Sequence, residues 1–436
     1  MRRYIILILS LITIITMTFA QEEISIAKDF VYLMSQGDYE KTVGYFDSSV
    51  SAVISSSLKE IWESLIKGVG NYEGIIEERT EESGNYKIIY LTTKFSNAYI
   101  DIKMVFLNKN IVGLFFLPAQ IKSFNTPPPY VNLEAFEEKD LKIGKDFVLP
   151  GKLTIPKGEG PFPVVIFVHG SGPNDMDETI GPNKIFRDLA WGLSSFGIAT
   201  LRYDKRTKVY PQEFSKYEDG FTVMEEVIED VLYAIEFVKT QEEIDKSKIF
   251  ILGHSLGGML APRIASLSKD VKGIIIMAGP TRPLEDLIWE QINYIANLDG
   301  KIDEKEKEQL ELIKKEIEKL KDPEIATKYP LSMNILGAPV KYFLDLKNHD
   351  PVKTLSELNI SAIIMQGERD YQVTIKDFEG WSVLSNKENI TLKLYPKLNH
   401  LFMEGTGKST PDEYNKVGNI PEYVIKDIAL WIKDQK

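Results

Sequence analysis

Ten consecutive residues, Ile249-Phe-Ile-Leu-Gly253-His-Ser255-Leu-Gly257-Gly258, constrain this chain more than any other stretch. An apolar, β-forming run stops at a Gly-His-Ser-Leu-Gly turn, and the helix-compatible residues 258–267 follow at once. Strand, sharp turn, helix is the order that holds a serine at the tip of a strained turn, with its hydroxyl clear of both elements. Glycine is required at 253 and 257 because strand and helix approach too closely there for a Cβ. The same five residues also fit an ordinary glycine-rich connection, so the meaning of Ser255 rests on the partners that the rest of the chain supplies.

The surrounding rhythm is strand, helix, strand. Residues 164–168, 198–203, 248–252, 271–277, 362–365 and 390–395 are short apolar runs, several nearly continuous, as parallel strands covered on both faces are. Helical patterns lie between them, at 184–195 and 222–239 for instance, and residues 145–155 read as a hairpin. A doubly wound, mostly parallel α/β sheet is expected, binding ligands beyond the carboxyl ends of its strands. Residues 281–351 interrupt the alternation with helical patterns, among them Leu310, Ile313, Ile317 and Leu320 in a Glu/Lys-rich background. This insertion is expected to cap the site, with Leu284, Leu287, Ile288, Trp289 and Ile292 roofing a substrate pocket. The alternative is that these residues only pack the insertion against the sheet.

Upstream, apolar residues recur at helical spacing from 27 to 66, and three β-rich stretches at 86–95, 98–106 and 111–117 suggest an antiparallel meander. Helices followed by such a sheet make a small α+β domain, expected over residues 21–121. It resembles the domain of nuclear-transport-factor type that precedes some bacterial hydrolases. It carries no catalytic constellation, so a binding, dimerisation or spacer role is expected, which leaves room for a homo-oligomer. Residues 122–132, with Pro127-Pro128-Pro129, form a stiff linker, and residues 133–436 the larger domain. A chain of 436 residues supports two cores. Its net charge of −12 argues against a nucleic-acid groove, and the absence of cysteine removes disulfides, thiolate catalysis and Cys-based metal sites. The start, Met1-Arg-Arg, then the apolar residues 4–19, then Ala20, reads as a signal peptide cut after Ala20, with an uncleaved membrane anchor as the alternative.

A serine nucleophile needs a general base, and the base needs a carboxylate that fixes its tautomer. On a hydrolase sheet of this kind both follow the serine, on loops after later strands. Of four histidines, His169 and His254 lie before Ser255, His349 falls in the insertion, and His400 follows the last strand. His400 is therefore the candidate base. Gln366-Gly-Glu-Arg-Asp370 places Asp370 just past a strand end as the candidate acid, while Glu368 and Asp377 are expected to be solvated. An oxyanion needs two N–H donors: Leu256, after the nucleophile, and Ser171 or else Gly172 in the His169-Gly-Ser-Gly-Pro173 turn. His169 and Asp204 are expected to be structural.

His-Gly-Ser-Gly-Pro at 169–173, Arg-Tyr-Asp-Lys-Arg at 202–206, Gly-His-Ser-Leu-Gly-Gly at 253–258, Gln-Gly-Glu-Arg-Asp at 366–370 and Asn-His at 399–400 together resemble the bacterial carboxylesterases of the EstD type. The resemblance covers roughly the last 300 residues in motif order and implies an α/β-hydrolase fold. It also implies hydrolysis of short- to medium-chain acyl esters, with Ser255, Asp370 and His400 as the triad. No cofactor or metal is expected. A serine peptidase or thioester hydrolase on the same fold stays open, since a triad does not choose its leaving group, as does an exported binding protein on a dormant scaffold.

Overall fold

A computed structural model describes residues 23–55, 57–96, 98–119 and 126–435. The expected signal peptide, residues 1–20, and residues 122–125 of the expected linker lie outside them. The chain divides into two units, the described residues of Met1–Thr126 with Tyr414–Val417, and Pro127–Glu413 with Gly418–Lys436.

In the first unit β1 (Tyr72–Ser83), β2 (Tyr86–Phe95), β3 (Tyr99–Leu107) and β4 (Asn110–Pro118) pair antiparallel in chain order. The turns suit their residues. Gly84 enters the β1–β2 connection at φ 60, and Asn108 and Lys109, at φ 49 and 71, make the two-residue left-handed turn that matches strand twist. Ile89, Leu91, Ile102, Met104 and Phe106 form a core with Phe30 and Met34 of the helix 23–35 and Trp62 of the helix Leu58–Val69. The sheet has one strand more than expected. β1 carries Glu73, Glu77, Glu78, Glu81 and Glu82 and stands at an edge, where charge blunts further pairing but also hides the strand from an apolar pattern.

The second unit is built on eight strands. These are β5 (Phe136–Ile143), β6 (Leu149–Pro156), β7 (Phe162–Val168), β8 (Ala199–Tyr203), β9 (Ile244–His254), β10 (Val271–Met277), β11 (Ser361–Gly367) and β12 (Ile390–Tyr395). Their order across the sheet is β12-β11-β10-β9-β7-β8-β6-β5. The six from β12 to β8 run parallel, β6 runs against β8, and β5 against β6. The hairpin expected at 145–155 is thus the β5–β6 pair: its first strand lies earlier than expected, in the charged stretch Phe136–Ile143, and residues 144–148 are its turn. Registers put several strand ends on one rim. Val168 pairs with Gly253, His254 with Met277, Met277 with Met365, and Gly367 with Tyr395. The loops after β7, β9, β11 and β12 therefore leave from one edge of the sheet, where such folds bind ligands.

Between β10 and β11 the insertion forms the helices Leu284–Ala296, Glu304–Lys321, Ile325–Lys328 and Val340–Lys347, with a short hairpin of Asn334–Ile335 and Ala338–Pro339. Glu304–Lys321 opens with a reciprocal cap between Asp303 and Glu306. Its Ile317 and Leu320 are buried, and Leu310 and Ile313 are half-buried. Leu320, Ile325, Ile335, Val340 and Phe343 give the insertion a small core of its own, against which Leu284 and Ile288 pack.

Candidate active site

Ser255 stands between β9 and the helix Leu256–Leu267 at φ 53, ψ −118, a conformation that a non-glycine residue keeps only when its surroundings force it. Its N–H donates to the Met277 carbonyl at 2.9 Å, and its own carbonyl accepts from Met259 N–H at 3.1 Å. The two glycines are sterically required. A Cβ on Gly253 would lie 2.1 Å from the Gly257 oxygen, and one on Gly257 would lie 2.1 Å from the Val168 oxygen.

The loops after β11 and β12 bring Asp370 and His400 together. His400 Nδ1 lies 2.7 Å from Asp370 Oδ2, and both side chains are buried. Asp370 is held on every side. Oδ1 accepts the N–H groups of Gln372 at 2.7 Å and Val373 at 3.0 Å, and Oδ2 also accepts from Gln366 Nε2 at 3.2 Å. This bonding keeps Nδ1 protonated as the donor and leaves Nε2 as the basic nitrogen. Ser255 and His400 line one cleft of about 570 Å³, together with Leu256, Ser171 and Gly172. Gly172 takes φ 95 in the turn after β7.

Three side chains to which the sequence reading gives no role support this arrangement. His254 Nε2 lies 2.9 Å from the His400 carbonyl oxygen. Its Nδ1 is 3.3 Å from Glu178 Oε2, an ion-pair contact without hydrogen-bond alignment. Burial works against the His254 charge, yet Glu178 and the His400 carbonyl raise its pKa above the ordinary value. Burial likewise opposes the Glu178 charge, but His254 leads the influences that hold its carboxyl below the ordinary value. Glu178 Oε1 accepts Gly170 N–H at 2.7 Å. The motif around Gly170 stops short of Glu178, and its φ of 47 leaves no mark in sequence. Gln366 precedes the candidate acid by four residues, inside a strand, where it reads as a core position.

His169 and Asp204 hold the loop. His169 Nε2 lies 3.1 Å from the Asp175 carbonyl, with burial lowering its pKa to about 4, and Asp204 accepts Met176 N–H at 2.7 Å. His349 Nε2 lies 2.9 Å from the Met259 carbonyl, outside the cleft lining. Glu368 is exposed as expected, but Asp377 is not. Fully buried on the helix Ile375–Ser382, Asp377 accepts Thr281 N–H at 3.0 Å and pairs with Arg282 at 2.7 Å, pinning the start of the insertion.

Of the five residues expected to roof the pocket, Leu284, Leu287 and Ile288 line it, while Trp289 and Ile292 do not. The reason is helical periodicity. Positions 284, 287, 288 and 291 share one stripe, and 289 and 292 point away from it. Gln291 completes the stripe, and Tyr342, Phe343, Phe214 and Phe221 add aromatic wall. Among the described residues no group of three or more His, Asp or Glu has metal-holding geometry.

Comparison with known proteins places the chain in a family. The family described as "Serine aminopeptidase, S33" matches residues 161–406, and a protein family of unknown function, DUF3887, matches residues 27–114. Esterase EstD of Thermotoga maritima is 42% identical over 412 residues, 92% of this chain and 93% of that protein. Among solved structures, Est1E from Butyrivibrio proteoclasticus aligns at 17% identity over 67% of this chain and 98% of its own, with a TM-score of 0.44. Pyrococcus horikoshii acylaminoacyl peptidase aligns at 13% identity over 83% of this chain and 56% of its own, with a TM-score of 0.46. The chain belongs to the α/β-hydrolase family described as serine aminopeptidase S33, and over nearly its whole length it is a relative of Esterase EstD.

Proposed function

We propose that this protein is a serine esterase that hydrolyses short- to medium-chain carboxylic acyl esters. The observation that carries the reading is the 2.7 Å contact of His400 Nδ1 with a fully clothed Asp370, on a residue that shares its cleft with Ser255. His400 Nε2 takes the Ser255 hydroxyl proton as Oγ attacks the ester carbonyl. The tetrahedral oxyanion is held by the N–H groups of Leu256 and Ser171, with Gly172 as the alternative to Ser171. His400 returns the proton to the leaving alkoxide, and water, activated the same way, frees the acid from the acyl-enzyme. Apolar Leu284, Leu287, Ile288 and Phe343 suit the acyl chain.

The family description favours a second reading, an aminopeptidase. That activity needs an acidic anchor for a substrate ammonium. Among the described residues the two carboxylates lining the cleft are both engaged, Glu178 by Gly170 N–H and His254, and Glu226 by Lys205 at 2.6 Å. Ester cleavage is therefore the better reading. Parallel turnover of p-nitrophenyl butyrate, an aminoacyl anilide and a butyryl thioester tests it: the ester should be cleaved fastest, and anilide cleavage at an equal rate would transfer the assignment to peptidases. A binding protein on a dormant scaffold would cleave none of them. The basic start, apolar run and Ala20 support export with a mature chain beginning at Gln21, which N-terminal sequencing of secreted material would test.

A further inference from the structure

The Arg202-Tyr-Asp-Lys-Arg206 motif is left over from the reaction, and its Lys205 is only 2% exposed. Lys205 follows the end of β8, and its Nζ donates to Glu226 Oε1 at 2.6 Å and to the Gly170 carbonyl at 2.9 Å. Glu226 lies in a π-helical turn, Met224–Ile228, at the cleft wall. Such turns sacrifice regular helical bonding and recur at functional sites. The Gly170 carbonyl also accepts from Asn174 Nδ2 at 3.2 Å, and the Gly170 N–H is taken by Glu178. Gly170 itself abuts the candidate nucleophile, since a Cβ built on it would lie 3.2 Å from Ser255 Cβ.

The carbonyl that Lys205 grips belongs to the same peptide group as the Ser171 N–H. Among the described residues the cis bond is Gly160–Pro161, so Gly170–Ser171 is trans, and its C=O and N–H point in opposite directions. An ammonium fixed behind the carbonyl therefore sets where the N–H on the other side points. A charge-assisted bond to the carbonyl also polarises the peptide and makes its N–H a stronger donor. Stability alone gives little reason for the pair, because buried ion pairs are often replaced by apolar residues at no loss.

We propose that Lys205, with Glu226 as its counter-ion, is a positioning residue for the oxyanion hole: it holds the Gly170–Ser171 peptide so that the Ser171 N–H faces the developing oxyanion. This rests on the esterase reading above. The test is Lys205→Met/Glu226→Gln, which removes both charges together and leaves neither buried alone. Relative to wild type, kcat for p-nitrophenyl butyrate should fall roughly ten- to hundredfold with KM unchanged. Affinity for an alkyl trifluoromethyl ketone, which becomes a hemiketal oxyanion on the nucleophile, should fall in parallel, while inhibition by the product alcohol should not move. Wild-type kcat, or a loss confined to KM, overturns the proposal. Should that variant not fold, Lys205→Gln decides. It replaces the ammonium by a shorter, neutral donor and should lower kcat at least several-fold at constant KM, and wild-type kcat there overturns the proposal equally. Failure of the esterase reading has a different signature, because Ser255→Ala would then retain turnover.

Discussion

The imidazole of His254 packs against that of His400 with ring centroids 4.7 Å apart, and its Nε2 meets the His400 carbonyl oxygen at 2.9 Å. The residue beside the nucleophile thus braces the loop of the base, and its Nδ1 faces Glu178 Oε2 at 3.3 Å.

That pairing predicts a pH window. The His254 pKa is raised in the fold, so its contribution to stability is complete below the ordinary value of 6.5 and is lost as pH rises through the raised value. The Glu178 pKa is lowered, so its contribution is present above 4.5 and is lost as pH falls through the depressed value. His254→Gln strands a buried carboxylate and should cost about 3–5 kcal/mol inside the window between those two values. Urea unfolding of wild type and variant from pH 4 to 9 should show the difference shrinking on both sides. A difference independent of pH would contradict the charged pair.

Elbow packing predicts a contrast between two glycines. Gly257→Ala drives a Cβ into the Val168 and His169 carbonyl oxygens, at 2.1 and 2.8 Å, and should destabilise by at least about 2 kcal/mol while displacing the turn after β7. Gly68→Ala, in the helix Leu58–Val69 with open space around it, should be neutral or stabilise by up to about 1 kcal/mol. Thermal melts of both variants, with ester turnover, check this.

The insertion predicts a second contrast. Leu287 is buried on the cleft face, so Leu287→Ala should deepen the acyl pocket and shift preference towards longer esters, each newly buried methylene gaining about 0.8 kcal/mol. Trp289 is off that face, so Trp289→Ala should leave the profile unchanged. Rates across acetate to decanoate esters decide, and a shift in the Trp289 variant alone would reverse the assignment of faces.

Much of the fold was legible because parallel strands buried on both faces are apolar runs, as in Val164-Val-Ile-Phe-Val168. Strands with charged outer positions, β1 and β5, were missed or displaced for the converse reason. Asp370 and His400 could be named as candidates because the expected fold fixes their order after the nucleophile and histidine is scarce. Glu178, Lys205 and Asp377 could not, because their partners are distant in the chain: Glu178 meets His254, Lys205 reaches Gly170 across 35 positions and Asp377 reaches Thr281 across 96, while Gln366, with partners Asp370 and Val373 near in sequence, is hidden inside a strand. The apolar residues among 284–292 read in sequence as one group, whereas a helix presents only its 284, 287, 288, 291 stripe to the cleft.

Ester hydrolysis by this site requires that Ser255 carry the acyl group. Acid quenching during turnover of p-nitrophenyl butyrate, followed by peptide mass spectrometry, should find a butyryl adduct on Ser255. His400→Ala should abolish its formation, and Ser255→Ala should reduce turnover to the uncatalysed rate with the fold intact. Undiminished turnover in Ser255→Ala, or an adduct only on another residue, would rule out Ser255 as the nucleophile.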